Sequence, residues 1–258
     1  MKKHKSLIVQ ILFVVAIIVI WQITYNSGKF PELVFPSIGQ IFDGLVSGFR
    51  DNDLLGMVGH SMRLILEGLG IGIVLAFILS GLSIASKTFF AVYNMVVSVC
   101  DLLPGVALLP LAILWIGVGE GTIIFLVIHS VIWPMSRSLI DGFKATPKLY
   151  IESGRNIGLN RFSLITGVYI PASFGRILSG LKVGWARAWR GLISAEMIFG
   201  ATSSGAGIGW YISMRRNFMD VPGVFASLIV IIIIGLIIEY GIFYWVEKFT
   251  VRKWGMSS

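Results

Sequence analysis

Charge is what this chain has least of. Asp, Glu, Lys and Arg make up 13% of its 258 residues, against about 25% in a water-soluble domain. With 56% hydrophobic residues and a mean hydropathy of +0.86, too little polar surface remains to cover a globule in water. Its main solvent is expected to be lipid, and there is no room for a soluble catalytic domain. Cysteine is nearly absent: Cys100 alone, inside an apolar stretch, excludes an internal disulfide. The three histidines, His4, His60 and His129, lie far apart with no Cys or Glu at ligand spacing, so neither a metal site nor the paired His/Glu set of a membrane-embedded enzyme is expected. No internal repeat and no low-complexity tract divides the chain, which points to a single domain over residues 1–258 and no cofactor.

What is present is a set of six apolar stretches, at about Leu7–Thr24, His60–Ile84, Phe89–Ile116, Thr122–Ile140, Ile170–Phe199 and Val221–Val246. A hydrocarbon core of about 30 Å takes roughly 20 residues of helix to cross, so the fold class expected is all-α and polytopic, with six transmembrane helices. The first stretch follows Lys2, Lys3 and Lys5 and has no small-residue cleavage site after it, which favours an uncleaved helix. Phe35-Pro36-Ser37 opens a short amphipathic segment, with Ile38, Ile41, Phe42, Leu45 and Val46 on its apolar side, expected to lie at the interface. Pro104 and Pro110 each remove a backbone donor and should break or kink the third span.

The net charge of +8 is explained by basic loops on one side rather than by nucleic acid. With both termini inside, the inner set is Lys2, Lys3, Lys5, Lys87, Lys144, Lys148, Arg155, Arg161, Lys248, Arg252 and Lys253, and the outer set only Lys29, Arg50, Arg63, Arg215 and Arg216. The positive-inside rule therefore puts both termini in the cytoplasm. Glycines four apart at Gly68/Gly72, Gly117/Gly121, Gly180/Gly184 and Gly205/Gly209 suit close helix packing in lipid. Gly81-x4-Ser86-Lys87-Thr88 lacks the second glycine of a phosphate loop and is flanked by membrane spans, so no nucleotide site is expected.

The polar loop at about 141–169 has no reason to exist inside lipid and is far longer than the roughly 2–8 residues that connect bundle helices. Thr146-Pro147 offers a capping hydroxyl and an initiating proline for a short helix over Lys148–Asn156. Gly154 and Gly158 strip side chains from it, which would let a partner backbone approach. The loop, Glu152-Ser153-Gly154-x3-Gly158 closed by Pro171, resembles the signature E-A-A-x3-G-x9-I-x-L-P of permease subunits of binding-protein-dependent ABC importers. Ser153 and Gly154 stand for the alanines, and Val168 and Ile170 for the Ile and Leu. A second block, Pro104 through Pro110 and Trp115-Ile-Gly117-Val-Gly119-Glu120 to Trp133-Pro134, resembles the sulfonate, taurine and nitrate branch, as do Phe35-Pro36-Ser37 and His60-Ser61-x-Arg63. The resemblance covers nearly the whole chain. It implies an inner-membrane location, two permease copies, two cytoplasmic ATPases and an extracytoplasmic substrate-binding protein. It also implies that the Glu152 loop is a coupling helix seated in a groove of the ATPase.

Ionisable residues inside spans are costly and mark a pathway or a pairing. The fifth span carries Lys182, Arg187, Arg190 and Glu196. At 100° per residue, Arg187, Arg190 and Ser194 share one stripe, and Lys182, Trp185, Trp189 and Glu196 another. Two readings stand side by side. Arg187 and Arg190, with Asp101, Glu196, Trp185 and Trp189, line a pathway for a small anion, or the arginines pair with Asp101 or Glu67 as an interhelical tie. Arg215 and Arg216, with Asn217 and Asp220, are either solvated or dock a binding protein. An ATP-independent carrier or channel is the competing class, and a neutral or cationic heterocycle the competing cargo.

Overall fold

A computed structural model describes residues 2–202 and 205–251, the first six of these as backbone only. Of the basic residues assigned to the inner side, Arg252 and Lys253 and the side chains of Lys2, Lys3 and Lys5 lie outside the described residues. In chain order the helices are α1 (Lys2–Asn26), α2 (Ile38–Asp51), α3 (Leu54–Ala85), α4 (Lys87–Cys100), α5 (Leu109–Ile116), α6 (Glu120–Lys144) and α7 (Lys148–Asn156). There follow α8 (Arg161–Leu164), α9 (Ile170–Ala172), α10 (Phe174–Phe199), α11 (Ile208–Asn217), α12 (Val221–Leu236) and α13 (Tyr244–Phe249). A 3-10 turn, Gly105–Leu108, precedes α5, and π-helical turns occupy Ile165–Tyr169 and Ile237–Phe243.

Four helical stretches are long and apolar enough to cross a bilayer unbroken: Ile8–Asn26, Leu54–Ala85, Glu120–Lys144 and Val221–Phe249. Two more cross only as bent pairs. Lys87–Cys100 meets Gly105–Ile116 at 94°, and Arg161–Ala172 meets Phe174–Phe199 at 76°. Six spans result when each pair counts as one. The first break lies where Pro104 predicted it, and Pro104 caps the 3-10 turn. Pro110 does not kink a helix; it sits in the first turn of α5, where its missing N–H has no carbonyl to serve. The long helix of the fifth span begins at Phe174 rather than Ile170, because the chain turns at Ser173.

Burial shows which helix the others surround. In the most apolar window of α6 61% of residues are buried, against 28% for α3, 22% for the α12 stretch and none for α1. α6 is the axis, and α1 faces outward all round, held by Trp21. Its indole N–H donates to the Pro36 carbonyl at 2.9 Å, and its ring stacks on Phe35 at 4.1 Å. The amphipathic segment is α2, started by a reciprocal cap in which Ser37 accepts from the Gln40 N–H and Gln40 accepts from the Ser37 N–H. It packs across the start of α12, with Gly44 set against the Pro222 backbone.

Two of the four glycine pairs clamp α6. On α3, a Cβ at Gly68 would come within 2.7 Å of the Val127 Cβ, and one at Gly72 within 3.0 Å of the Val131 Cβ. From the other side, a Cβ at Gly180 of α10 would lie 3.4 Å from the Pro134 carbonyl oxygen and 2.6 Å from the Ser138 hydroxyl. One at Gly184 would lie 3.5 Å from the Val131 Cα. Val131 is thus held between glycines of two helices. Gly209 seats α11 on α10, where a Cβ would meet Glu196 at 2.7 Å. Gly117/Gly121 is not a packing pair: Gly117 ends α5 at φ +95° with nothing near it.

Gly180→Val should lower stability in detergent by about 1–3 kcal/mol, the usual cost of overpacking, read as a fall in the thermal unfolding midpoint. Gly70→Ala, where an added Cβ meets nothing within 4 Å, should leave the midpoint unchanged or raise it slightly.

Candidate functional site

Two places hold the residues singled out from the sequence. The first is α7, at the end of the bundle where α3 and α6 finish. The helix spans the expected residues, but its start differs from expectation. Pro147 is the N-cap and makes no side-chain cap, while the Thr146 hydroxyl turns back to donate to the Gly142 carbonyl at 3.3 Å. Its end has a Schellman arrangement: Gly158 N–H donates to the Arg155 carbonyl (2.9 Å) and Leu159 N–H to the Gly154 carbonyl (3.0 Å). Gly158 stands at φ +84°, a conformation that favours glycine.

Gly154 faces inward. A Cβ there would meet Leu164 at 2.8 Å, Leu159 at 3.2 Å and Val168 at 3.3 Å, all of this same chain. The expectation that Gly154 and Gly158 clear space for a partner's backbone is therefore corrected: one seats α7 on its own bundle and the other ends the helix. Glu152 and Ser153 are exposed, beside Leu149 and Ile157 at 68% and 78% exposure. Pro171 lies in the first turn of α9, between the π-helical turn and the bend into α10. Arg161 ties the segment to α3 through the Ala85 carbonyl at 3.3 Å.

The second place is the break in the third span. Asp101 caps the C-terminus of α4 there, and its carboxylate accepts from Arg187 of α10 and, at 3.3 Å, from Arg137 of α6. One acidic side chain thereby joins three helices. A cavity of about 300 Å³ opens beside it, walled by Asp101, Arg187, Arg190, Ser194, Ser130 and Trp133. The stripe of Arg187, Arg190 and Ser194 expected on α10 thus faces one space. Arg190 donates from Nε to the Ala186 carbonyl of its own helix at 3.0 Å and has no carboxylate partner among the described residues.

The other stripe does not converge. Trp185 and Trp189 are buried and stacked, centroids 6.0 Å apart. They share a separate recess of about 250 Å³ with Arg190, Gly235 and Glu239. Lys182 pairs with Glu247 at 3.0 Å. Glu196, only 1% exposed, lines neither space. Its carboxylate accepts from the Ser61 hydroxyl (2.7 Å) and the Gly209 N–H (3.0 Å), while Ser61 Oγ accepts from the Ile208 N–H (3.0 Å). Two helices thus cap the N-terminus of α11, whose own N-cap is a glycine without a side chain to offer.

Sequence reasoning missed Arg137 and the cavity wall on α6. The signal was there in His129, Trp133 and Arg137, spaced four apart and so on one face. It also missed that the two family-like blocks meet: Arg63 pairs with Glu120, His60 Nε2 lies 3.5 Å from Glu120, and Arg63 is 3.5 Å from Glu67. Glu67 is accordingly not a partner of Arg187 or Arg190.

Helices broken at membrane depth survive only where the freed backbone groups meet protein or a polar space. A polar cavity at such a break, walled by two guanidiniums and a carboxylate, is compatible with a solute-translocating bundle. Residues 68–252 match the family described as the binding-protein-dependent transport system inner membrane component, and the chain belongs to that family. It is 29% identical over 256 residues to a Methanocaldococcus jannaschii protein assigned to the ABC transporter permeases, covering 96% of this chain and 93% of that one. It is 25% identical over 236 residues to the taurine transport system permease protein TauC of Escherichia coli, covering 88% and 82%. To the nitrate import permease protein NrtB of Synechocystis it is 26% identical over 233 residues, covering 88% and 83%. The chain is a multi-pass permease subunit of an ABC importer, a class that works with an ATPase and a substrate-binding protein.

A double-mutant cycle tests the tie at the break. Asp101→Asn with Arg187→Gln should show a coupling of up to about 1 kcal/mol in thermal unfolding, the arginine being partly exposed. The same cycle with Arg190→Gln should show none.

Proposed function

We propose that this permease imports a small oxyanion of the sulfonate, taurine, nitrate or bicarbonate kind, with Arg187 and Arg190 lining its path and Asp101 holding Arg187 when the path is empty. The observation that carries this is the cavity at the break, where two guanidiniums face one carboxylate and Arg190 has no acidic partner among the described residues. The names of the taurine and nitrate relatives support the same chemistry. Trp185, Trp189 and Glu239 favour a second reading, a cationic or heteroaromatic solute held in their recess.

Movement is supplied from outside the chain. Two copies, each with N- and C-termini in the cytoplasm, rock between inward- and outward-open states as partner ATPases close on ATP. The single transmembrane domain is driven through its loop at about 141–169. Glu152 and Ser153 meet the ATPase, Gly154 and Gly158 hold the helix in shape, and Pro171 fixes the corner into α10. What supports this path is continuity: α7 sits on Leu164 and Val168, and that segment runs through one bend into the helix bearing Arg187 and Arg190. The chain itself carries out no ATP chemistry in this scheme.

In vesicles holding permease, ATPase and binding protein, Glu152→Lys should cut uptake by roughly tenfold or more, since misplaced like charge at an interface costs several kcal/mol. Membrane insertion should be unchanged, and normal uptake would refute the coupling role. Arg190→Gln should lower uptake of a sulfonate or nitrate by roughly tenfold, the loss of one charge-assisted hydrogen bond, with Arg190→Lys intermediate. A cationic heterocycle that instead drives uptake, with loss in Glu239→Gln, would select the second reading.

A further inference from the structure

The Gly81-x4-Ser86-Lys87 segment, which is no nucleotide loop, borders a cavity of about 250 Å³ between α3, α4 and α6. The cavity has two characters. Its wall is apolar, from Ile84, Phe90, Ile140, Phe143 and Tyr169, while Lys87 and Lys144 stand at its edge. Lys144 Nζ lies 4.4 Å over the Phe90 ring. A third cation, Arg161, bonds to the carbonyl of Ala85, the residue after Ile84 of that wall. None of the three has a carboxylate within ion-pair distance among the described residues. Ser80, fully buried, lines the cavity, and its hydroxyl has no hydrogen-bond partner among the described residues.

The position along the spans is informative as well. α3 ends at Ala85 and α6 at Lys144, so both lysines lie at the ends of candidate spans, with Ile84 and Ile140 about one turn further in. A free inorganic anion would satisfy the lysines and leave the apolar wall without an occupant. An amphiphile satisfies both. We propose that this cavity binds an anionic phospholipid, its phosphate between Lys87 and Lys144 and an acyl chain along Phe90, Ile140 and Phe143. Basic pockets between spans recognise such headgroups through charge and hydrogen bonding. Bound there, the lipid braces the corner of α3, α4 and α6 beside which the α7 segment hangs. This site stands apart from the solute path and needs neither the coupling nor the cargo assignment.

The test uses the permease with its copurifying ATPase, exchanged into nanodiscs of equal phosphatidylglycerol and phosphatidylcholine, with retained lipid identified by native mass spectrometry. Wild type should retain phosphatidylglycerol preferentially. K87Q/K144Q should lower that preference by roughly ten- to thirtyfold, the effect of two cations at a charged headgroup. Lys148→Gln, which removes a charge at the same end but outside the cavity, should leave the preference intact and serves as the control for general charge. Equal retention of the two lipids by wild type, or an undiminished preference in K87Q/K144Q, would overturn the proposal. Displacement of phosphatidylglycerol by millimolar inorganic phosphate would also overturn it, assigning the lysines to a free anion.

Discussion

The close contact of α6 with α3 on one side and α10 on the other is what the rest of this molecule depends on. Lipid offers helices no hydrophobic reward for meeting, so they hold by van der Waals contact at short range and by the few polar bonds they share. Gly68 and Gly72 bring α3 onto Val127 and Val131, and Gly180 and Gly184 bring α10 onto Val131, Pro134 and Ser138. That approach sets the distance between α6 and α10 and so lets Arg137 and Arg187 reach the same carboxylate of Asp101. A side chain at Gly68 or Gly180, where a Cβ would come within 2.5 Å of the facing side chain, would push the helices apart before it disturbed a charge.

Ionisable groups within the bundle are mostly discharged locally. α10 shows this well: beyond exposed Arg176 near its start, its four other charged residues go four ways. Lys182 meets Glu247, Arg187 meets Asp101, Arg190 faces the cavity, and Glu196 caps α11 together with Ser61. Three of them are committed to holding helices together. Of these four, Arg190 is the one whose guanidinium has no acidic partner among the described residues, which is why the anion reading rests on it most heavily.

The spans were legible because bilayer thickness imposes a length that few other constraints produce. The short helix Lys148–Asn156 was legible from Pro147 and the polar run after it. The break at Pro104 was legible too, since proline cannot donate. Other features were hidden for identifiable reasons. Glycine spacing announces a close approach without naming what approaches, so Gly154 pointed outward on paper and inward in space. Thr146 had two acceptable hydrogen bonds, and the one back to Gly142 won. Glu196 shares an azimuth with Lys182, yet 14 residues at about 1.5 Å each set them roughly 20 Å apart along the axis. A shared stripe was mistaken for a shared depth. The spacing of His129, Trp133 and Arg137 marked a common face without naming what it met, because Arg137 answers to Asp101 across 36 positions of chain.

The inward seat of Gly154 has one more consequence. Nine residues of α7 carry two independent sets of instructions. The inner set, Gly154 against Leu164 and Val168, decides how firmly the helix is welded to its own bundle. The outer set, Leu149, Glu152 and Ser153, with Ile157 just past the helix end, decides what surface is shown. Because the two do not overlap, the outer face can be rewritten without loosening the packing of the helix that carries it.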